Sequence, residues 1–265
     1  MRKPSLIEPR QTAAAWPYTS RLQKGGALLE DMRQLVRHWN DDPARAQRDA
    51  GIRSNILNKE TRNRLTDVYQ RAFLPRFVNG PIPNAWRLVR ALEDAGAAAA
   101  VLRPVYYWIT ATAEPLLVDF CREVLYPRQA DVRIGVDTPL VLSWLNGKGC
   151  PWSADVATRV ARGLLAALRD FGILQGRARK RLGDPAPPLR SFAYIAFCLR
   201  ALGTTSRELL VHPNWQLFLL SPEDVERMFL HAHQDRLLEY HAAGSVIQIH
   251  FPADSAEEYA RVVTR

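Results

Sequence analysis

Apolar residues recur at helical spacing along most of the chain, and the clearest such stretch lies in its second half. Ser153 is suited to begin a helix there, because its hydroxyl can accept a backbone N–H that a helix start leaves unpaired. Gly172 is suited to end that helix. An apolar segment, 138–145, and the turn 146–149 precede it, so the pattern predicts two helices joined by a tight turn. The apolar stripe of the second helix consists of Val156, Val160, Leu164, Leu168 and Phe171.

The polar face of this second helix is basic. At about 100° per residue, Arg159, Arg162 and Arg169 lie opposite the apolar stripe, so we expect them in solvent. A basic segment follows on a predicted loop or short hairpin, with Arg177, Arg179, Lys180 and Arg181. The order of helix, turn, basic helix and basic wing is typical of a winged helix-turn-helix unit. The alternative is a solvated amphipathic helix beside a charged loop, which is a common pattern in proteins.

A second candidate unit lies in the first half of the chain. Asp42-Pro43 is suited to begin one short helix, and Asn58 is suited to cap another that reaches about Arg76. The turn between them lacks glycine, so this helix-turn-helix prediction is the weaker of the two. Long or amide side chains near a helix start can bond to base edges in the major groove of DNA. The candidate contacts in this unit are Lys59, Arg62, Asn63, Arg64 and Arg71.

The remaining pattern predicts a mainly α fold. The aromatic run 106–108 is expected in the core rather than stacked on bases, because neighbouring residues of a helix point to different faces. Alternating apolar residues at 247, 249 and 251, after Ala243-Gly244, predict a small β-hairpin near the C-terminus. We therefore expect an arm at 1–17 and two helical domains, 18–130 and 131–265, with a hinge at 131–137. Each domain is expected to carry one helix-turn-helix-like unit.

The charge distribution favours an acidic partner for these units. The net charge of the 265-residue chain is +9, and 47% of its residues are hydrophobic, as in a globular protein. Residues 52–76 carry a net +4 and residues 158–190 a net +6, whereas residues 201–265 carry a net −4. Two basic blocks beside an acidic region indicate two defined contact surfaces for a polyanion rather than nonspecific electrostatic binding by the whole protein.

Signatures of catalysis and of a bound metal or cofactor are missing from the sequence. Three cysteines lie far apart without a C-x-x-C pair, which favours reduced thiols in the cytoplasm. His231 and His233 diverge on a helix, and His241 and His250 lie on the predicted hairpin, so we expect no metal site. No apolar segment is long enough for a bilayer. We expect a monomeric, non-catalytic protein without a cofactor and without a membrane partner.

Several short segments, taken in order, resemble the BrxA family, the small component of BREX bacteriophage-exclusion systems. The resemblance implies a mostly helical, non-catalytic DNA-binding protein that works beside a methyltransferase, an ATPase and a phosphatase-like protein. Other BREX proteins are therefore expected partners. The segments that carry the resemblance are 18–19, 24–30, 55–57, 61–64, 164–174 and 242–245, among them Lys24-Gly25-Gly26-Ala27-Leu28-Leu29-Glu30 and Asp170-Phe171-Gly172-Ile173-Leu174.

Four functional hypotheses follow from the sequence. The leading one is sequence-tolerant binding of double-stranded DNA through the two basic helix-turn-helix surfaces. The second is an adaptor that docks protein partners on the acidic region 201–265. The third is RNA binding, which basic helices also allow. The fourth is a nuclease whose carboxylates come together from distant segments.

Overall fold

Helices form most of the structure, which confirms the mainly α fold class. The small β-hairpin predicted near the C-terminus is also present. The computed structural model describes residues 17–129, 135–244 and 246–265. The predicted arm, apart from Pro17, and most of the predicted hinge at 131–137 lie outside these ranges. Within them the chain forms twelve α-helices and two antiparallel two-stranded sheets.

In the described part of the first half of the chain, the regular secondary structure consists of helices. A 3-10 helix, Ser20–Gln23, comes first, and π-helical turns follow two of the α-helices at Tyr69–Val78 and Cys121–Leu125. The α-helices are α1 Leu29–His38, α2 Ala44–Ser54, α3 Arg62–Val68, α4 Trp86–Asp94, α5 Ala99–Thr112 and α6 Pro115–Phe120. A further 3-10 turn, Tyr126–Arg128, closes this half.

Two predicted helix starts in this half are wrong. Asn58 has a left-handed backbone (φ 49°) and lies in the turn, where an asparagine is tolerated better than most residues. The cap of α3 is Thr61, whose hydroxyl accepts from the Arg64 N–H at 3.2 Å. Asp42 does not cap α2, which begins after Pro43 without a side-chain cap. The basic helix therefore starts about one turn later than the sequence pattern predicts.

The predicted starts of the two helices around the 146–149 turn are confirmed. Ser153 caps α8 as predicted, and Asp137, which the sequence assigned to the hinge, caps α7; each accepts from a backbone N–H of the first turn. Gly172 follows α8 with φ 86°, the left-handed conformation that ends many helices. The elements are α7 Thr138–Gly147, α8 Ala154–Asp170, β1 Leu174–Gln175, β2 Arg181–Leu182, α9 Leu189–Ala201, α10 Ser206–Leu210, a 3-10 helix Pro213–Phe218, α11 Pro222–Gln234, β3 Glu239–Ala243, β4 Val246–His250 and α12 Ala256–Thr264.

One hydrophobic cluster extends through both halves of the described chain. Tyr106, Tyr107 and Trp108 are fully buried in it, as expected for core residues. Helix α5 packs on α9, and α4 packs on α12, so the predicted domains 18–130 and 131–265 share this core. The division into two domains stays a prediction. None of the helices in the described ranges has the length and apolarity that crossing a membrane requires.

The segment 20–28 lies between the two predicted basic units. On one side, a Cβ on Gly163 of α8 would come within 2.1 Å of the Leu22 carbonyl oxygen, so the two backbones are in close contact. On the other side, the buried Arg76 donates to the Gly26 carbonyl at 3.0 Å and to the Glu114 carboxylate at 3.1 Å. The segment 20–28 is thus packed tightly between α8 and the π-helical turn that follows α3.

Candidate functional site

A cluster of exposed arginines lies on α8 and on the β1–β2 ribbon that follows it. We name these five residues the α8–wing surface: Arg159, Arg162, Arg177, Arg179 and Arg181. Within the described ranges none of their side chains has an acidic partner or a hydrogen bond. Their positive charge is therefore available to a ligand.

The β1–β2 ribbon, which forms the wing, is held in place by strand pairing on two sides. Strand β1 pairs with β2 in the register Leu174↔Leu182, and Gly176 takes the positive φ (101°) that the tight ribbon requires. Val136 adds a third strand position through an antiparallel bridge to Lys180, with hydrogen bonds of 2.7 and 3.0 Å. The wing is therefore fixed both to α8 and to the chain that enters α7.

Two predicted site residues of this unit are less available than the five arginines. Lys180 is buried (8% exposed), and its Nζ donates to the Arg177 carbonyl at 2.7 Å. Burial, together with the charge of Arg169, lowers the pKa of Lys180. Arg169 is exposed but forms an ion pair with Asp170 at 2.7 Å. The prediction that Arg169 lies in solvent holds, whereas Lys180, predicted as part of the basic segment, is turned inward by the alternation along the ribbon.

The first basic unit carries its charges differently. We name its predicted residues the α3 surface: Lys59, Arg62, Asn63, Arg64 and Arg71. Lys59 is paired with Asp31 at 2.7 Å, and Arg71 with Asp67 at 2.8 Å. The Arg64 guanidinium donates to the Lys24 carbonyl oxygen. Arg62 and Asn63 are exposed, and no partner for either side chain is found in the described part of the chain.

The structure adds two cations that the sequence reasoning missed. Arg21 and Lys24 line a shallow hollow together with Arg64 and Arg71. Lys24 is half exposed and lies 3.6 Å from Asp67, which it shares with Arg71. Lys24 belongs to the Lys24-Gly25-Gly26 segment that the sequence singled out, whereas no local pattern marks Arg21. The hollow therefore extends the α3 surface toward the segment that contacts α8.

A buried carboxylate neutralises further cations of the first half. Glu93, with a side chain 3% exposed, accepts from Arg33 at 2.8 Å, from Arg37 at 2.6 Å and from the Tyr106 hydroxyl at 3.1 Å. Burial alone raises the pKa of Glu93, but the hydrogen bonds from Arg33 and Arg37 outweigh it and lower the pKa of the carboxyl. These two arginines serve the core rather than the surface.

The described residues hold no group of three His, Cys, Asp or Glu side chains placed to bind a metal ion. Burial raises the pKa of the Cys121 thiol to about 12 and also raises the pKa of Cys198, so neither thiol is ionised near neutral pH. His233 accepts from the Tyr240 N–H at 3.3 Å, in a structural contact. The basic surfaces of the described chain therefore offer positive charge to a ligand.

Comparisons with known proteins agree with this architecture. The family model described as BrxA matches residues 16–197. A crystal structure of an uncharacterized protein from Magnetospirillum magneticum has a similar fold, with a TM-score of 0.54 and 16% sequence identity over 76% of this chain and 97% of that one. No curated protein matches the chain.

Proposed function

The chain belongs to the BrxA family, whose members are associated with BREX phage exclusion, and we propose that it is a non-catalytic component that binds double-stranded DNA through the α8–wing surface. The observation that carries the proposal is the set of five exposed arginines, for which the described residues provide no acidic partner. Arginine suits phosphate contacts, because its planar guanidinium donates two parallel hydrogen bonds and stays charged.

The order of elements around the surface supports the proposal. The Val136 bridge, α7, the turn, α8 and the β1–β2 ribbon follow one another as in a winged helix-turn-helix. In that arrangement the N-terminal half of the second helix enters the major groove, and the wing lies on the phosphate backbone. Arg159 and Arg162 lie in that half of α8, whereas Arg177, Arg179 and Arg181 lie on the ribbon.

The α3 surface has a secondary role in this proposal. To contact a phosphate, Lys59 and Arg71 must leave Asp31 and Asp67 or share their hydrogen bonds with them. Such an exchange contributes less to the free energy of DNA binding than a phosphate contact by an arginine without an acidic partner, because the existing ion pair with the aspartate is lost. Arg62 and Asn63 remain the residues of this unit that can contact DNA without such an exchange.

Fluorescence anisotropy on a labelled duplex tests the proposal across a range of salt. Each phosphate that the protein neutralises contributes about −0.9 to the slope of log affinity against log salt. The Arg159→Glu/Arg162→Glu variant is expected to flatten that slope and weaken binding. The control is Arg261→Glu on α12, which makes half that change of charge at an exposed arginine in the acidic region. Affinity that is unaffected by salt and by the α8 variant contradicts the proposal.

RNA is a second candidate ligand, because basic helices also suit it. A duplex DNA is favoured, since its major groove admits a helix, whereas the major groove of A-form RNA is deep and narrow. Competition between an unlabelled DNA duplex and an RNA hairpin of equal length separates the two. Displacement by the RNA at lower concentration contradicts the preference for DNA.

The non-catalytic part of the proposal has its own test. Supercoiled plasmid is incubated with the protein and Mg²⁺ or Mn²⁺, and the conversion to nicked circles is measured. We expect the plasmid to stay supercoiled. Nicking that requires the metal and copurifies with the protein contradicts a purely binding role.

A further inference from the structure

A groove of about 650 Å³ runs between α11 and the β3–β4 hairpin, far along the chain from the arginines described above. Three residues one helical turn apart form its helical wall: Glu226, Leu230 and His233. Leu230 is 43% exposed, and Val246 on the hairpin side is 58% exposed. Of the large hydrophobic side chains in the described residues, four are exposed, and two of them line this groove.

Among the described residues, no strand pairs with the outer edge of β3, the strand that borders the groove. The Tyr240 N–H donates to His233 Nδ1 at 3.3 Å, and the N–H of its cross-strand partner Ile249 donates to Ser206 Oγ at 3.2 Å. Both groups point away from the hairpin ladder, so Tyr240↔Ile249 is a non-hydrogen-bonded pair. Such pairs alternate, so the pair Ala242↔Ile247 is of the same kind.

The alternation places the Ala242 N–H and C=O on the outer edge of β3, beside the groove. The corresponding edge of β4 is packed against α10, and the first outward N–H of β3 is capped by His233. For the Ala242 pair no capping side chain is found in the described ranges. An exposed strand edge next to exposed apolar side chains is a template for pairing with another chain.

We propose that this groove binds an extended segment of a partner protein, which adds a strand to the outer edge of β3. The main chain of the segment pairs with Ala242, and its alternate side chains pack on Leu230 and Val246. Strand addition of this kind combines main-chain hydrogen bonds with pockets for every second side chain.

The charge around the groove determines which segment fits. Glu226 lies in the groove, where its carboxylate accepts from the Tyr240 hydroxyl at 2.9 Å, and the exposed carboxylate of Glu239 begins β3, 3.9 Å from His241 Nε2. The described residues that line the groove include no lysine or arginine. The occupant is therefore a cationic segment. A second copy of this hairpin fits poorly, because it would bring another Glu239 toward these carboxylates. The groove also lies beyond residues 16–197, the part that the family model matches.

The occupant and DNA are expected to bind independently, because the groove is acidic and the α8–wing surface is basic. The inference does not depend on the proposed DNA binding. A protein that loses DNA affinity through Arg159→Glu/Arg162→Glu is expected to keep its affinity for the segment. Failure of one proposal thus leaves the other testable.

The probe is a labelled eight-residue peptide that alternates lysine and valine, measured by fluorescence anisotropy with the full-length protein. Three matched peptides complete the series: one has glutamate in place of lysine, and two are N-methylated, on the odd residues or on the even residues. We expect binding of the lysine peptide, no binding of the glutamate peptide and a loss of about tenfold in one N-methylated register, since that register loses its main-chain hydrogen bonds.

Variants of the protein locate the peptide. Leu230→Glu is expected to weaken binding by about tenfold or more, because it places a charge where an apolar side chain packs. Leu202→Glu is the matched control, since Leu202, directly after α9, is comparably exposed (51%) and lies outside the groove. Equal binding by the two variants, or by all the peptides, overturns the proposal. Dimers in sedimentation equilibrium that Leu230→Glu dissociates overturn it in favour of a second copy.

Discussion

The α3 surface and the α8–wing surface have similar sequence patterns, but they differ in how many of their cations are paired within the described part of the chain. Both consist of basic residues on or beside a helix that follows a turn, and their segments carry a net +4 and +6. In the fold, Lys59 and Arg71 of the first surface form ion pairs with carboxylates, and Arg64 donates to a backbone carbonyl oxygen. The five arginines of the second have no such partner in the described residues.

The difference shows that a count of charges along the sequence does not measure the charge that a ligand meets. Asp31, on α1, pairs with Lys59 although the two residues are 28 positions apart in the sequence. The net charge counted over residues 52–76 therefore does not include it. A surface ion pair adds about 0–1 kcal/mol to stability, yet it cancels most of the field of its cation. We therefore expect DNA affinity to depend mainly on the α8–wing surface.

The largest predicted effect concerns the buried ion pair that keeps the two surfaces in a fixed relation. Arg76 and Glu114 have side chains 0% and 2% exposed, and burial lowers the pKa of Arg76 even though Glu114 opposes the shift. Glu114→Leu leaves a buried guanidinium without its carboxylate. We expect a loss of about 3–5 kcal/mol in the free energy of unfolding, measured with denaturant.

The double variant Arg76→Met/Glu114→Leu controls for packing. Since it removes both charges, it is expected to be more stable than Glu114→Leu alone. Equal stability of the two variants would mean that lost packing, rather than an uncompensated charge, causes the effect.

The next prediction concerns the contact of α8 with the segment 20–28. Alanine favours a helix over glycine by about 1 kcal/mol, but a Cβ on Gly163 would lie 2.1 Å from the Leu22 carbonyl oxygen. Gly163→Ala is therefore expected to destabilise the protein by about 2–3 kcal/mol, measured by denaturation.

Gly147→Ala, at the end of α7, is the control for this substitution, because a Cβ there meets no atom within 4 Å. It is expected to be neutral or slightly stabilising. If Gly163→Ala behaves in the same way, α8 does not need its close contact with residues 20–28.

A third prediction uses pH to examine the neutralised arginines of the first half. The lowered pKa of Glu93 means that its charged form stabilises the folded state fully above its ordinary pKa of 4.5. This contribution is lost as the pH falls from 4.5 through the lowered pKa. Glu93→Gln is expected to cost about 2 kcal/mol at neutral pH, since hydrogen bonds to a charged group are lost. Unfolding curves at several pH values should show the difference narrowing below 4.5; a constant difference would contradict the assignment.

The smallest predicted effect is a gain in DNA affinity. Asp67→Asn releases Arg71 and Lys24, and Asp31→Asn releases Lys59. The double variant is expected to bind duplex DNA about two- to fivefold more tightly, an energy below about 1 kcal/mol. Asp254→Asn makes half that change of charge at an exposed position in the acidic region and is the control. An equal gain per charge at both places would indicate a general effect of net charge rather than released contacts.

Local chemistry made much of the fold predictable. The apolar stripe of α8, its Ser153 cap and its Gly172 end depend on neighbouring residues, so the sequence pattern identified all three. The capping box of α11, where Ser221 and Asp224 bond reciprocally, likewise depends only on neighbouring residues. Asn58 was mistaken for a cap, because asparagine suits both a helix start and the left-handed turn it occupies.

The candidate site was less predictable because its state depends on distant contacts. Nothing local to Lys59 indicates its ion pair with Asp31, which lies 28 positions earlier in the sequence. The pair Asp67–Arg71 is different, because its spacing of four residues on a helix is visible in the sequence and was passed over. The inward turn of Lys180 depends on the register of a ribbon only two residues long. The strand edge at Ala242 is similarly invisible in sequence, since it follows from hydrogen bonds made by His233 and Ser206. Tertiary structure decides these features.

The most direct test compares the salt dependence of duplex binding for two variants that each remove two positive charges. Arg159→Ala/Arg162→Ala acts on the α8–wing surface, and Lys59→Ala/Arg71→Ala acts on the α3 surface. We predict that the slope of log affinity against log salt becomes shallower by about 1.8 for the first variant and by less than about 0.5 for the second. Equal changes, or a larger change for the second variant, would contradict the claim that unpaired arginines of α8 and its wing carry the binding.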